Sequence, residues 1–176
     1  MYYQKFITFL KEHNLYEEQM YKYWYDNSIR FDYLEEEARD FISTYYKFNK
    51  GKLVKIWSIV PFVDNDITTL INIHEYVHFY LIYDRLGKKC KINKDCEVLP
   101  IFFEKIYVNE NESPELLNYY DYLNEVIEKN VDDKYKLALE LMDDLVNYYN
   151  NQSINDLNSK VKRLVFKYDI KKTFNI

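Results

Sequence analysis

Apolar and polar positions along this chain follow a helical period almost throughout. Residues 2–13 and 15–26 repeat apolar side chains every three or four positions and predict two short amphipathic helices. Leu34 to Phe48 predicts a third, with glutamates in its first turn complementing the helix dipole and Asn49-Lys50-Gly51 ending it. The pattern then changes. Residues 53–63, Leu-Val-Lys-Ile-Trp-Ser-Ile-Val-Pro-Phe-Val, are rich in branched and aromatic residues and give the one clear strand signal, closed by Pro61. Residues 67–86 contain neither Gly nor Pro and are apolar over most of a helical circumference, which predicts a buried helix with Asp66 as N-cap and Gly87 as its stop. Ser113-Pro114-Glu115 reads as an N-cap, a proline at the first position and an acid at the second, opening a helix to about Lys129. Asp132 or Asp133 opens another to about Asn150, and Ser153 a last one to about Asp169. The expected fold is mainly α, in the α+β class, with one short β element. The chain reads as one domain, 1–176: N-terminal helices over 1–50, a central region over 51–110 and C-terminal helices over 113–176.

The buried helix carries the candidate chemistry. His74-Glu75-Tyr76-Val77-His78 is an HExxH sequence and takes two of the three histidines in the chain. A helix turns about 100° per residue, so His74 and His78 share one face about 6 Å apart along the axis, which suits two corners of a zinc tetrahedron. Glu75 follows the first ligand and points beside the metal, where a carboxylate can take a proton from water. Buried imidazoles and a buried carboxylate must be satisfied by some partner, because isolation costs several kcal/mol. Zn2+ is therefore the expected cofactor.

A catalytic zinc normally has three protein ligands and one open position. His13, the remaining histidine, lies in an amphipathic segment and reads as a surface residue. Asp84 is six residues past His78, but uninterrupted helix carries it about 240° around the axis, off the metal face. Better candidates lie in residues 95–107, Asp-Cys-Glu-Val-Leu-Pro-Ile-Phe-Phe-Glu-Lys-Ile-Tyr. Glu97 and Glu104 are two helical turns apart and face the same way on one continuous helix. One can bind the metal while the other orients a ligand histidine or meets substrate. Pro100 leaves two geometries open: a helix that begins near Leu99, with Glu97 in the preceding turn, or a longer helix kinked at the proline.

These residues resemble the gluzincin zinc metallopeptidases, most closely the core of the oligopeptidase F and thimet oligopeptidase family. That family has HExGH followed by two glutamates seven apart with a proline between them. The resemblance covers at most residues 50–110; Val77 stands where the family has glycine, the proline is displaced by one position, and the chain is far shorter. It implies a zincin-like helical domain with a short β element before the HExxH helix, Glu97 as the third metal ligand and Glu104 as its companion in the second shell. It also implies a Tyr or His beside the developing oxyanion, for which Tyr119, Tyr120, Tyr148 and Tyr149 are candidates. In zincins a strand edge beside the HExxH helix holds extended peptide by main-chain hydrogen bonds, a role that would fall to Ile56–Val60.

Composition narrows the partners. A net charge of −5 argues against general nucleic-acid binding, and the basic positions Lys160, Lys162, Arg163, Lys167, Lys171 and Lys172 read as a solvated helix face. Twenty tyrosines accompany abundant Asn, Lys and Ile and only two Ala and two Gly, which looks like AT-rich coding and not a stacking platform. No apolar run reaches the roughly 18 residues of a membrane span, and two cysteines make no disulfide framework. The expectation is a cytoplasmic hydrolase acting on a peptide or protein substrate, with no nucleic-acid or membrane partner: zinc held by His74, His78 and Glu97, and Glu75 as general base. The competing expectation is a non-catalytic helical interaction or regulatory protein with a vestigial or coincidental HExxH.

Overall fold

Lys50 and Gly51 both have positive φ, 49° and 76°, and together form the two-residue turn of a β-hairpin. In the computed structural model, which describes residues 4–32, 41–93, 95–129, 133–151 and 163, that turn joins strand β2 (Ser43–Asn49) to strand β3 (Lys52–Pro61). The helix expected to end at Phe48 is therefore a strand from Ser43 onward, while its start, residues 34–40, lies outside the described residues. The run Ser43-Thr44-Tyr45-Tyr46-Lys47-Phe48 is rich in branched and aromatic side chains that suit a pleated surface, and the Lys-Gly turn fixes its register. A three-residue strand β1 (Ile29–Phe31) pairs parallel with β3, giving the sheet order β1-β3-β2.

The chain forms two compact units, Met1–Asn93 and Lys94–Ile176. In the first, helices α1 (Gln4–Glu12), α2 (Glu18–Asn27) and α3 (Asp66–Ile82) pack with the sheet, and α3 crosses both β2 and β3. A bulge opposite Lys47 and Phe48 resets the alternation of β3. Beyond it Ile56, Ser58 and Val60 face inward, while Trp57 stacks on Tyr45 on the opposite face, ring centroids 5.6 Å apart. Between α1, α2 and α3 sits an aromatic core of Phe6, Trp24, Tyr76 and Phe79, all fully buried. His13 is buried and not at the surface: it is 4% exposed, its ring 4.2 Å from that of Phe9.

The N-cap of α3 is Asn65 and not Asp66. Its side chain accepts from the Thr68 backbone N–H at 2.8 Å, and Asp66 becomes the first helical residue. At the other end a 3-10 turn, Tyr83–Arg85, precedes Gly87 at φ 78°. The chain then turns back along the hairpin: Gly87 N–H donates to the Leu53 carbonyl at 2.7 Å and Leu53 N–H to that of Lys88 at 3.0 Å.

The second unit contains helices α4 (Val98–Glu110), α5 (Pro114–Lys129) and α6 (Asp133–Asn151), with α6 packed on α4. Phe102 meets Tyr149 across that packing, ring centroids 5.7 Å apart. Ser113 caps α5 as expected, its hydroxyl accepting from Leu116 N–H at 3.2 Å. The helix anticipated over 153–169 lies outside the described residues apart from Arg163, which is helical and exposed. The described fold is mainly α with one small sheet, and no helix in it is long and apolar enough to cross a membrane.

Candidate metal and hydrolytic site

The i, i+4 spacing on α3 brings His74 and His78 together. Their Nε2 atoms are 3.1 Å apart, with ring centroids 4.8 Å apart and planes inclined by 65°. Two nitrogens bound tetrahedrally at 2.0–2.1 Å to one zinc stand about 3.3 Å apart, so small side-chain rotations suffice for both to meet the same ion. His78 is 8% exposed and His74 half-buried, so the pair lies where interior meets solvent. The chemistry of the pair suits zinc: neutral imidazole is among its commonest ligands.

Glu75 turns toward the sheet. Its carboxylate Oε2 accepts from the Thr44 hydroxyl at 2.7 Å, and the same hydroxyl lies 2.9 Å from the Glu75 backbone carbonyl. Among the described residues Thr44 supplies the only side-chain hydrogen bond to that carboxylate, so Oε1 stays available. Thr44 is paired in register with Ser58, and their hydroxyl oxygens are 2.9 Å apart. Ser58 in turn accepts from the Trp24 indole Nε1–H at 3.0 Å. Reading the HExxH pattern alone gives no hint of Thr44, Ser58 or Trp24. The available signal was the Ser-Thr start of β2 and the lone serine in an otherwise apolar stretch of β3.

Ile56–Val60, expected as a substrate-binding edge, belongs to the central strand of the described sheet. Within β3, Ile56–Ile59 pair with β2 and Ile59 and Val60 with β1; β2 is an edge strand of the described sheet. Ile59 alone is paired on both sides, and the Ser58 N–H is taken by the Ser28 hydroxyl at 3.1 Å, so the β1 side of this stretch is partly covered.

Glu97 and Glu104 belong to the second unit. Glu97 is the N-cap residue of α4 with helical dihedrals, φ −88° and ψ −15°, and its carbonyl already accepts from Ile101 N–H at 3.2 Å. The helix therefore starts at Val98, with Pro100 inside the first turn, where a missing N–H leaves no bond unmade. Because Glu97 is already helical, it and Glu104 share one face of α4. Glu97 is half-buried and Glu104 buried. The Glu104 carboxylate adds to burial in pushing the Tyr120 phenol well above its ordinary ionisation range, while Asn124 opposes this through a hydrogen bond. Tyr120 and Tyr148 are buried, whereas Tyr119 and Tyr149 are half-buried. Asp84 is exposed in the 3-10 turn, so the uninterrupted helix expected to carry it off the metal face ends two residues earlier, at Ile82.

The chain matches no protein-family model, no curated protein and no solved structure.

Proposed function

We propose that this protein is a zinc metallopeptidase of the zincin-like, gluzincin type. The observation that carries the reading is the pair of Nε2 atoms 3.1 Å apart on α3, with the Glu75 carboxylate one residue along. His74 and His78 hold the metal, Glu97 is the third ligand, and Glu104, on the same face of α4 as Glu97, orients it. Bound zinc supplies Lewis acidity toward a peptide carbonyl and toward water. Glu75 is the general base: its Oε1 takes one proton from the attacking water as the new C–O bond forms, then passes it to the departing amine as the C–N bond breaks. Burial of Glu75 to 7% exposure strengthens its interactions with charge developing beside it. One of the tyrosines Tyr119, Tyr120, Tyr148 and Tyr149 stands by the oxyanion. The substrate is a peptide or protein, and the setting is the cytoplasm.

The 3.1 Å separation also fits a direct hydrogen bond between two neutral imidazoles, as a non-catalytic helical interaction protein would have. The readings diverge on zinc and on Glu75. Untagged protein with about one zinc per chain, cleaving fluorescein-labelled casein, with Glu75→Gln keeping the zinc and losing the cleavage, supports the peptidase. Metal-free protein that gains no thermal stability from added zinc supports the other.

A further inference from the structure

Trp24, Ser58, Thr44 and Glu75 form one continuous buried chain of hydrogen bonds that runs through the interior of the first unit. The contacts are 3.0 Å from indole nitrogen to Ser58 Oγ, 2.9 Å from there to Thr44 Oγ1, and 2.7 Å onward to Glu75 Oε2. Trp24 and Ser58 are fully buried, Thr44 is 8% exposed and Glu75 7%, so water does not compete along most of its length.

Counting protons gives the chain a direction. An indole N–H can only donate, so Ser58 Oγ must accept from Trp24. Each hydroxyl carries one proton, and a carboxylate carries none. With Glu75 in the form a general base requires, Thr44 must donate to it; Ser58 then gives its proton to Thr44, whose lone pairs are free. That is the assignment in which every donor on the path has an acceptor. The Glu75 backbone carbonyl, 2.9 Å from Thr44 Oγ1, is a second and longer acceptor for that same proton.

The path joins elements far apart in sequence. Trp24 is on α2, Ser58 on the central strand and Thr44 on the edge strand, and the two strand residues are register partners. Side-chain positions on a paired strand are set by the ladder, which is stiffer than a loop. A glutamate side chain has three rotatable bonds, and a fixed donor on Oε2 restricts them while leaving Oε1 open.

We propose that Thr44 is the positioning residue for Glu75, held in its donating orientation by Ser58 and Trp24. This rests on the reading of Glu75 as the general base. Thr44 acts through the carboxylate it fixes and not by contact with metal or substrate. Misplacing a catalytic group by about 1 Å costs up to about a hundredfold in rate, which sets the scale of the effect.

The test uses Thr44→Val, which keeps the shape and removes the hydroxyl, and Thr44→Ser, which keeps the hydroxyl. With zinc-loaded full-length protein and fluorescein-labelled casein, Thr44→Val should lower kcat about tenfold to a hundredfold with KM and zinc content unchanged, and Thr44→Ser should recover most of it. A Thr44→Val enzyme with the original kcat, or a Thr44→Ser enzyme as slow as Thr44→Val, overturns the proposal. A second readout needs no turnover. In metal-free protein the Trp24 indole N–H resonance, distinguished from that of Trp57 by Trp57→Phe, should shift in Thr44→Val and in Glu75→Gln. If the original protein cleaves no casein, the peptidase reading fails and the positioning role falls with it. An indole resonance indifferent to both substitutions overturns the hydrogen-bonded chain alone.

Discussion

Trp24 and Ser58, thirty-four residues apart, are joined by a buried hydrogen bond from indole Nε1 to Oγ at 3.0 Å. It ties α2 to the middle of the sheet, and the hydroxyl is the one acceptor of that indole N–H among the described residues. Ser58→Ala should therefore destabilise the fold by about 1–3 kcal/mol, the cost of leaving a buried donor unmatched. Thermal or urea unfolding checks this, and an unchanged midpoint would show that the indole is satisfied in some other way.

The cap of α3 separates two neighbouring residues. Asn65 accepts from Thr68 N–H through its side chain, whereas Asp66 is the first helical residue and bonds Lys5 at 2.9 Å on the surface. Asn65→Ala should cost about 0.5–2 kcal/mol, and Asp66→Ala less than about 1 kcal/mol, as exposed ion pairs and dipole terms usually do. Equal losses in denaturant unfolding would argue against the assigned cap.

The hairpin turn gives a test of conformation without packing. A Cβ added to Gly51 meets nothing within 4 Å, but the residue has φ 76°. Gly51→Ala should cost about 1–2 kcal/mol purely as left-handed strain. Lys50→Asn, placing a residue that tolerates positive φ before the glycine, should be neutral or stabilising. Calorimetry on the pair decides it: a neutral Gly51→Ala would mean the turn is not of this type.

Alkaline stability follows from the aromatic core. Burial, with Tyr25 and Tyr16 nearby and Arg30 opposing, pushes the Tyr21 phenol up from about 10 to about 12. Burial pushes Tyr76 further in the same direction, and its hydroxyl donates to the Leu15 carbonyl at 3.2 Å. The folded chain therefore holds these protons after the unfolded chain has released them. The stabilisation is complete below pH 10 and is lost as pH rises toward 12 and beyond. Phenolate absorbance and unfolding followed together across that range should show a late tyrosine class ionising as the fold is lost, and Tyr21→Phe should flatten the loss. Ionisation of every tyrosine near pH 10 with the fold intact would contradict the packing described.

Local sequence rules account for much of this architecture. The HExxH helix, its burial, the β3 signal and the Ser113 cap all rest on local rules, periodicity and capping, that need no knowledge of the rest of the fold. What escaped was decided elsewhere. Residues 43–48 satisfy a helical spacing of apolar side chains as well as a strand's, and only pairing with β3 across the Lys50-Gly51 turn selects the strand. His13 was expected at the surface yet is buried, with its ring against that of Phe9 one helical turn before it, and exposure of a single polar position is not set by periodicity. Ile56–Val60 reads as a strand from sequence, but whether a strand is central or at the edge depends on partners, and β1 is too short to announce itself. The candidate site divides in the same way: His74, Glu75 and His78 share one helical turn and were found by spacing alone, whereas Thr44 reaches Glu75 only through the sheet.

Whether His74 and His78 bind metal is read out by zinc analysis of untagged protein alongside His74→Ala and Glu75→Gln. The original protein and Glu75→Gln should each carry about one zinc per chain and His74→Ala little, with a thermal midpoint that rises with zinc only where the metal binds. No zinc in the original protein, or equal zinc after His74→Ala, would contradict metal binding by this pair.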